Sequence, residues 1–378
     1  MNETELLSKL VSIPSVFPNE SALGEFLEAH LQSIGFSTRR QEVSEGRFNI
    51  LAERGSEGKP ILFYGHMDTV PKYGEWDSDP FTLRKDGDRL YGLGAYDMKA
   101  GLSAILSACS SPTDMKIKIA FAVDEENNSE GGWAIVNSGF ANDAMCIIVP
   151  EINDSSQPPE IANSIMLGRR GRAVYEYSVP GKTSHGAQPG TGVSAIREAC
   201  RLIPLLDSAQ DSPEPGKLPP ATQFVRKVSS ESTSLSLPET ATVELDRHLV
   251  FPETPESVLA SLRSQLDSMY SSGQFSEHEG RRISVGLKPR KTPYLPPFLT
   301  PEDSAPVSLL SSIVKERMGS AQFSYGATVC DENAFASSGI PIMDFGPVGA
   351  NCHSANEWVS EKSLQDISLI FSEFINRA

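Results

Sequence analysis

Apolar residues recur at helical spacing over Thr4 to Val11 and again over Asn19 to Ser33, where Leu23, Phe26, Leu27, Ala29 and Leu31 define a face and Gly35 supplies the stop. The period then changes. Runs at Pro60 to Tyr64, Lys116 to Val123 and Met145 to Val149 read as strands, with a helical segment around Lys99 to Ala108 between the first two. This alternation of strand and helix predicts an α/β fold with a mostly parallel sheet covered on both faces. Ligands gather at the carboxyl ends of strands in such sheets. His66, Glu125, Glu126 and Glu151 each follow a strand-like run, so the fold can bring them together from distant positions in the chain.

The pattern shifts again around Gly168-Arg169-Arg170-Gly171. Ala173 to Val179 alternates like a half-exposed strand, and the turn Gly181-Lys182-Thr183-Ser184-His185 follows it. Next come a helical stretch at Val193 to Leu206, a Ser/Pro-rich connector at Asp207 to Pro220, and strands at Thr222 to Val228 and Ala241 to Leu249. A helix at Pro255 to Met269 and a strand at Arg282 to Leu287 complete a compact α+β insert. The proline-dense run Pro289 to Pro301 reads as the return hinge. A helix at Pro306 to Met318 and a strand at Pro341 to Phe345 then rejoin the first domain. The expected division is 1–166 with 293–378 as one domain and 167–292 as the insert.

At 378 residues the chain exceeds one ordinary core, which agrees with two domains. A formal net charge of −16 argues against a nucleic-acid backbone or an anionic membrane as partner, since both attract basic surfaces. The five cysteines are odd in number, dispersed and without a C-x-x-C pair, which fits reduced thiols better than a disulfide frame. Met1-Asn2-Glu3-Thr4-Glu5 is acidic and runs into an amphipathic helix, with no apolar run of membrane length, so a soluble cytoplasmic protein is expected.

Candidate chemistry begins at Gly65-His66-Met67-Asp68. In a strand, residues i and i+2 share a face, so Asp68 is placed to hydrogen-bond the His66 imidazole and fix its tautomer. That is a metal ligand with its orienter, or a local polar contact. Further along stand Gly92-Leu93-Gly94-Ala95-Tyr96-Asp97-Met98-Lys99, Asp124-Glu125-Glu126, Val149-Pro150-Glu151 and Cys352-His353-Ser354-Ala355-Asn356-Glu357. Taken singly, the glycines around Asp97 also fit a β-turn and the acidic run at Asp124 also fits a solvated turn.

In this order the five motifs resemble the two-zinc exopeptidases and amidohydrolases that include acetylornithine deacetylase, succinyl-diaminopimelate desuccinylase, aminoacylase and glutamate carboxypeptidase. The resemblance runs from Ile13-Pro14-Ser15 to the C-terminal histidine. It implies a catalytic zinc-hydrolase domain and a smaller lid and dimerisation domain. It implies Asp97 as bridging ligand between two Zn2+ (Co2+ or Mn2+ also suit such sites), with His66 and Glu151 on one metal and Glu126 and His353 on the other. Glu125 falls at the general base that acts on a metal-bridging hydroxide, and His185 at a histidine that reaches across a homodimer to stabilise the oxyanion. Glu151 departs from the usual glutamate followed by proline. Arg247 is the candidate clamp for a substrate carboxylate, with Arg170 and the loop Gly326-Ala327-Thr328 as further candidates. Members commonly read Asp-x-Arg where this chain reads Asp246-Arg247-His248, so the clamp stands here, at a neighbour, or is lost. Lys99 and Asp331 are expected to support the site, and Cys352 to fill space. The implied reaction is hydrolysis of the amide bond of an N-acyl amino acid or a short peptide. The rivals are an aminopeptidase or dipeptidase of the same fold, and a catalytically silent binding protein.

Overall fold

The computed structural model describes residues 1–151, 162–208, 216–232 and 234–378. Two compact units emerge, one formed by Met1–Arg169 with Leu299–Ala378 and the other by Arg170–Phe298. In the first, helix α1 (Glu3–Val11) opens with a capping box in which Asn2 and Glu5 exchange side-chain-to-backbone hydrogen bonds of 2.8 and 3.0 Å. Its Leu6, Leu7, Leu10 and Val11 are buried. Helix α2 spans Ser21–Ser33.

The large sheet runs Ser37–Ser44, Arg47–Arg54, Met115–Ala122, Glu57–His66, Cys146–Val149, Ile342–Asp344, Ser164–Arg169. Its centre is parallel: Glu57–His66 pairs in parallel with both Met115–Ala122 and Cys146–Val149, and Ile342–Asp344 extends that pairing. Every residue from Pro60 to His66 is buried, so both faces of that strand are covered. Phe63 meets Phe371 of helix α4 (Glu361–Arg377), and Tyr64, on the opposite face, meets Phe335; each pair has ring centroids 5.4 Å apart. Helix α3 (Ala100–Ala108) packs against both α1 and α4.

The edge hairpin Ser37–Ser44 with Arg47–Arg54 was not expected, and its outer strand is polar and mostly half-buried or exposed. Helix α4 was also unforeseen, although Leu364, Ile367, Ile370, Phe371 and Phe374 give it a buried stripe.

The second unit is a four-stranded antiparallel sheet in the order Thr222–Ser229, Thr240–Leu249, Gly171–Pro180, Ser284–Leu287. Tyr175, Tyr177, Val243 and Leu245 form its core with Leu202 and Leu206 of the helix Ala195–Ser208 and Val258 and Leu262 of the helix Pro255–Ser271. Of the expected connector at Asp207 to Pro220, residues 209–215 lie outside the described residues.

Candidate metal centre

The ends of the central strands, and the turns beside them, hold the candidate residues of the first unit. His66 closes its strand, and its Nδ1 lies 3.0 Å from the main-chain carbonyl oxygen of Asp68. A carbonyl only accepts, so Nδ1 carries the proton and Nε2 faces the site. There Nε2 meets Asp97 Oδ1 at 3.1 Å and Glu151 Oε2 at 3.4 Å. The Asp68 carboxylate does not orient the ring in the expected way: Oδ1 is 3.7 Å from Nδ1. The strand ends at His66, and the same-face geometry of residues i and i+2 ends with it. Instead the two carboxylate oxygens accept the main-chain N–H groups of Glu125 and Glu126, at 3.2 and 3.0 Å. Asp68 therefore ties the His66 strand end to the loop that carries both glutamates.

Asp97 sits in the irregular turn Ala95–Lys99, where the Asp97–Met98 peptide bond is cis. Gly94 precedes it with φ +70°, in the left-handed region that glycine enters without steric cost. Glu357 fixes this turn from the far end of the chain. Its carboxylate accepts the N–H groups of Gly94, Tyr96 and Asp97 at 2.8, 2.8 and 2.9 Å. Asp97 then presents Oδ1 to His66 and Oδ2 to His353 Nε2, the latter at 3.2 Å. Glu126 meets the same His353 nitrogen at 3.0 Å. Glu125 joins His66 and Glu126 in a group whose ligand atoms lie within 4.8 Å of one another. The expected residues His66, Asp97, Glu125, Glu126, Glu151 and His353 are thus assembled in one place.

Charge at this place is unbalanced. Burial pushes Glu151 up to about 7, with the Asp97 carboxylate adding to it against the His66 hydrogen bond. Burial likewise holds Glu125 well above the usual carboxylate range, with Glu126, Asp331 and Glu151 adding to it against the pull of His66. Burial acts to lower the His66 imidazole, but the nearby Asp68, Asp97 and Glu151 carboxylates raise it well above its ordinary value. His353 is carried to about 10 by Asp97 and Glu126. Carboxylates crowd one another on both sides of Asp97, and a cation bound between each ring nitrogen and its carboxylates relieves that repulsion. The donor set of imidazoles and carboxylates fits divalent metal ions.

A buried layer behind the site was only partly foreseen. Tyr64 donates to Asp331 Oδ2 at 2.5 Å, and burial pushes that carboxyl up to about 7. Arg169, fully buried, pairs with Asp344 and with Glu332 at 2.5 Å. Charged residues inside apolar strands are seldom fully buried unless paired, which is the sequence signal these positions carry. Lys99 donates to the carbonyl oxygens of Leu10 and Ile13, each at 3.0 Å, and so anchors the end of α1. Cys352 is more than filler: its thiol donates to Asp97 Oδ2 at 2.9 Å.

The remaining candidates belong to the second unit. His185 is exposed, and its Nδ1 accepts the N–H of Ala187 at 3.1 Å. Arg170 is buried and donates to the Pro220 carbonyl at 2.8 Å and to Thr222 Oγ1 at 3.1 Å. Arg247, the candidate clamp, is buried. Arg247 shares the strand face of Val243, Leu245 and Leu249, which is the helix-covered face, and pairs there with Glu253 at 2.5 Å and Gln223 at 2.8 Å. Its guanidinium is committed to a carboxylate of its own chain. The neighbouring position, His248, lies on the opposite face, and the Arg170 guanidinium contributes, after burial, to lowering its imidazole.

A mostly parallel α/β sheet gathers imidazoles and carboxylates at its strand ends, the donor set of a divalent-metal site. The chain belongs to peptidase family M20/M25/M40, whose profile matches residues 62–377. It is 27% identical over 386 residues to a succinyl-diaminopimelate desuccinylase of Hydrogenovibrio crunogenus, covering 98% of this chain and 97% of the relative. Among solved structures it resembles a tripeptidase of Staphylococcus aureus, with TM-score 0.77, 21% identity and coverage of 100% and 97% of the two chains. It also resembles a dinuclear metal-binding M20 peptidase of Bacillus subtilis, with TM-score 0.72, 16% identity and coverage of 99% and 96%.

Proposed function

We propose that this chain uses two zinc ions to hydrolyse the amide bond of an N-acyl amino acid or a short peptide, next to a substrate carboxylate. The observation that carries this reading is Asp97, whose two oxygens face two different imidazoles at 3.1 and 3.2 Å. Glu151 completes the His66 side and Glu126 the His353 side. Each side then offers one imidazole and two carboxylates, which suits zinc and also cobalt or manganese. Divalent ions bound there supply Lewis acidity and make water acidic enough to attack near neutral pH.

Glu125 takes the proton from the attacking water and returns it to the leaving amine. Asp68 positions Glu125 through its main-chain N–H. In His185, Nδ1 accepts a backbone N–H, so Nε2 carries the proton and can donate to an oxyanion. That histidine acts from the partner in a homodimer, with residues 170–298 as lid and dimerisation domain and the remainder as catalytic domain. Arg170 takes the substrate carboxylate in place of Arg247.

Five free cysteines fit a reducing, cytoplasmic setting. The desuccinylase and tripeptidase relatives make N-succinyl amino acids and short peptides the first substrates to try. The test is metal analysis at saturating zinc, followed by a screen of N-succinyl, N-acetyl and N-formyl amino acids beside di- and tripeptides. Two ions per chain and turnover of one class are expected, whereas a metal content of zero refutes the proposal. A requirement for a free α-amino group would favour an aminopeptidase over a deacylase.

A further inference from the structure

We propose that Cys352 is a direct thiolate ligand of the metal held by His353, Glu126 and Asp97, so that the two metal positions differ in chemical character. This inference rests on the two-metal reading above. Cys352 Sγ lies 2.9 Å from Asp97 Oδ2, and His353 Nε2 lies 3.2 Å from that same oxygen. The ligand atoms of all three residues fall within 4.8 Å of one another. Tetrahedral zinc, with bonds of about 2.0 Å to nitrogen or oxygen and about 2.3 Å to sulfur, separates its ligand atoms by roughly 3.3–3.8 Å. The three donors therefore need to move little to enclose an ion. Cys109, Cys146 and Cys330 are buried elsewhere in the core and Cys200 is exposed on the helix Ala195–Ser208, so Cys352 alone joins a donor group among the described residues.

Coordination breaks the S–H bond and forms an Sγ–metal bond, and the proton leaves to solvent, so each loaded site releases one proton from this residue. The chemical consequence is selectivity. A thiolate is a soft ligand and favours zinc over manganese, whereas the His66, Glu151 and Asp97 position keeps only nitrogen and oxygen donors. The position served by Cys352 then holds zinc when manganese competes, and the other position exchanges more freely.

The experiment loads metal-free protein with cobalt and records the near-ultraviolet spectrum beside the metal stoichiometry. A sulfur-to-cobalt charge-transfer band is expected in the unmodified protein and is expected to vanish in Cys352→Ser. The variant should still bind two ions, with its preference for zinc over manganese reduced by at least about tenfold. Alkylation followed by peptide mapping gives a readout that needs no variant: Cys352 should react in metal-free protein and be protected in loaded protein. Two bound cobalt ions without the band, or equal alkylation in both states, would overturn the thiolate assignment and leave the two-metal reading standing. A cobalt stoichiometry of zero would refute both.

Discussion

Replacing Glu357 by Gln tests whether one carboxylate holds the Asp97 turn in place. In the structure Oε2 accepts the Gly94 N–H, while Oε1 accepts the N–H groups of Tyr96 and Asp97. Glutamine can keep its oxygen toward Tyr96 and Asp97 but must then turn its NH2 group toward Gly94, so two donors meet in a buried place. One charge-assisted bond is lost and one buried donor is left without a partner. Together these should cost about 2–4 kcal/mol, given the range for hydrogen bonds to charged groups and for unsatisfied buried donors. Trp76, Trp133 and Trp358, the three tryptophans of the chain, all lie in the unit that contains this turn, so their fluorescence reports its unfolding selectively. The denaturant midpoint should be measured on metal-free protein, because ions that bind only the folded state add stability of their own. Metal affinity should fall as well, by roughly 10–100-fold, as is typical when a supporting partner of a ligand is removed. An unchanged midpoint with unchanged metal affinity would mean that Glu357 is held as a neutral acid, in keeping with its rise to about 8 through burial, and that its charge does not fix the turn.

Glu125→Gln should retain both metals and lower turnover by about 10²–10⁴, the usual contribution of a general base; equal loss of metal and rate would mean that Glu125 and Glu126 had been exchanged. Arg247→Ala should destabilise the 170–298 unit by about 1–3 kcal/mol, because it removes the charged partner of half-buried Glu253, which keeps only the Val250 N–H. Hydrogen exchange over that unit reads the loss, and a large rise in KM confined to carboxylate substrates would restore Arg247 as the clamp. Refolding inactive His185→Ala together with inactive Glu125→Gln should recover activity, since a mixed dimer carries one site with both defects and one with neither. Proven heterodimers without recovered activity would place His185 in its own chain's site or in none.

The parts of the fold that could be read in the sequence are those whose burial is written in apolar residues. Pro60 to Tyr64 and Met145 to Val149 are continuous apolar runs, and the structure puts central strands at Glu57–His66 and Cys146–Val149. The hairpin strand Ser37–Ser44 carries no such signal. It is an edge strand with polar residues on both faces, held by backbone pairing to Arg47–Arg54, and backbone pairing leaves no mark on side-chain type. Strand Ser164–Arg169 hides for the opposite reason: its last residue is an arginine with no exposed surface, which looks like a loop charge until Glu332 and Asp344 are folded against it.

The site divides along the same line. The proposed ligands His66, Asp97, Glu126, Glu151 and His353 stand in short motifs that the family resemblance picks out, and the structure gathers them despite their distance along the chain. The residues that aim those ligands obey a weaker rule, because any acceptor of the right reach can serve and its partners are backbone groups common to every residue. Asp68 stands out for its spacing from His66, yet its carboxylate spends itself on the amides of Glu125 and Glu126, a partner set fixed only when the strand Met115–Ala122 pairs beside Glu57–His66. Arg247 poses the reverse case. A one-residue change of position in a strand turns a side chain to the other face of the sheet, so a motif displaced by one residue preserves its letters and loses its geometry. Position in an alternating strand, more than residue type, therefore decides which of Arg247 and His248 faces away from the helices of its unit.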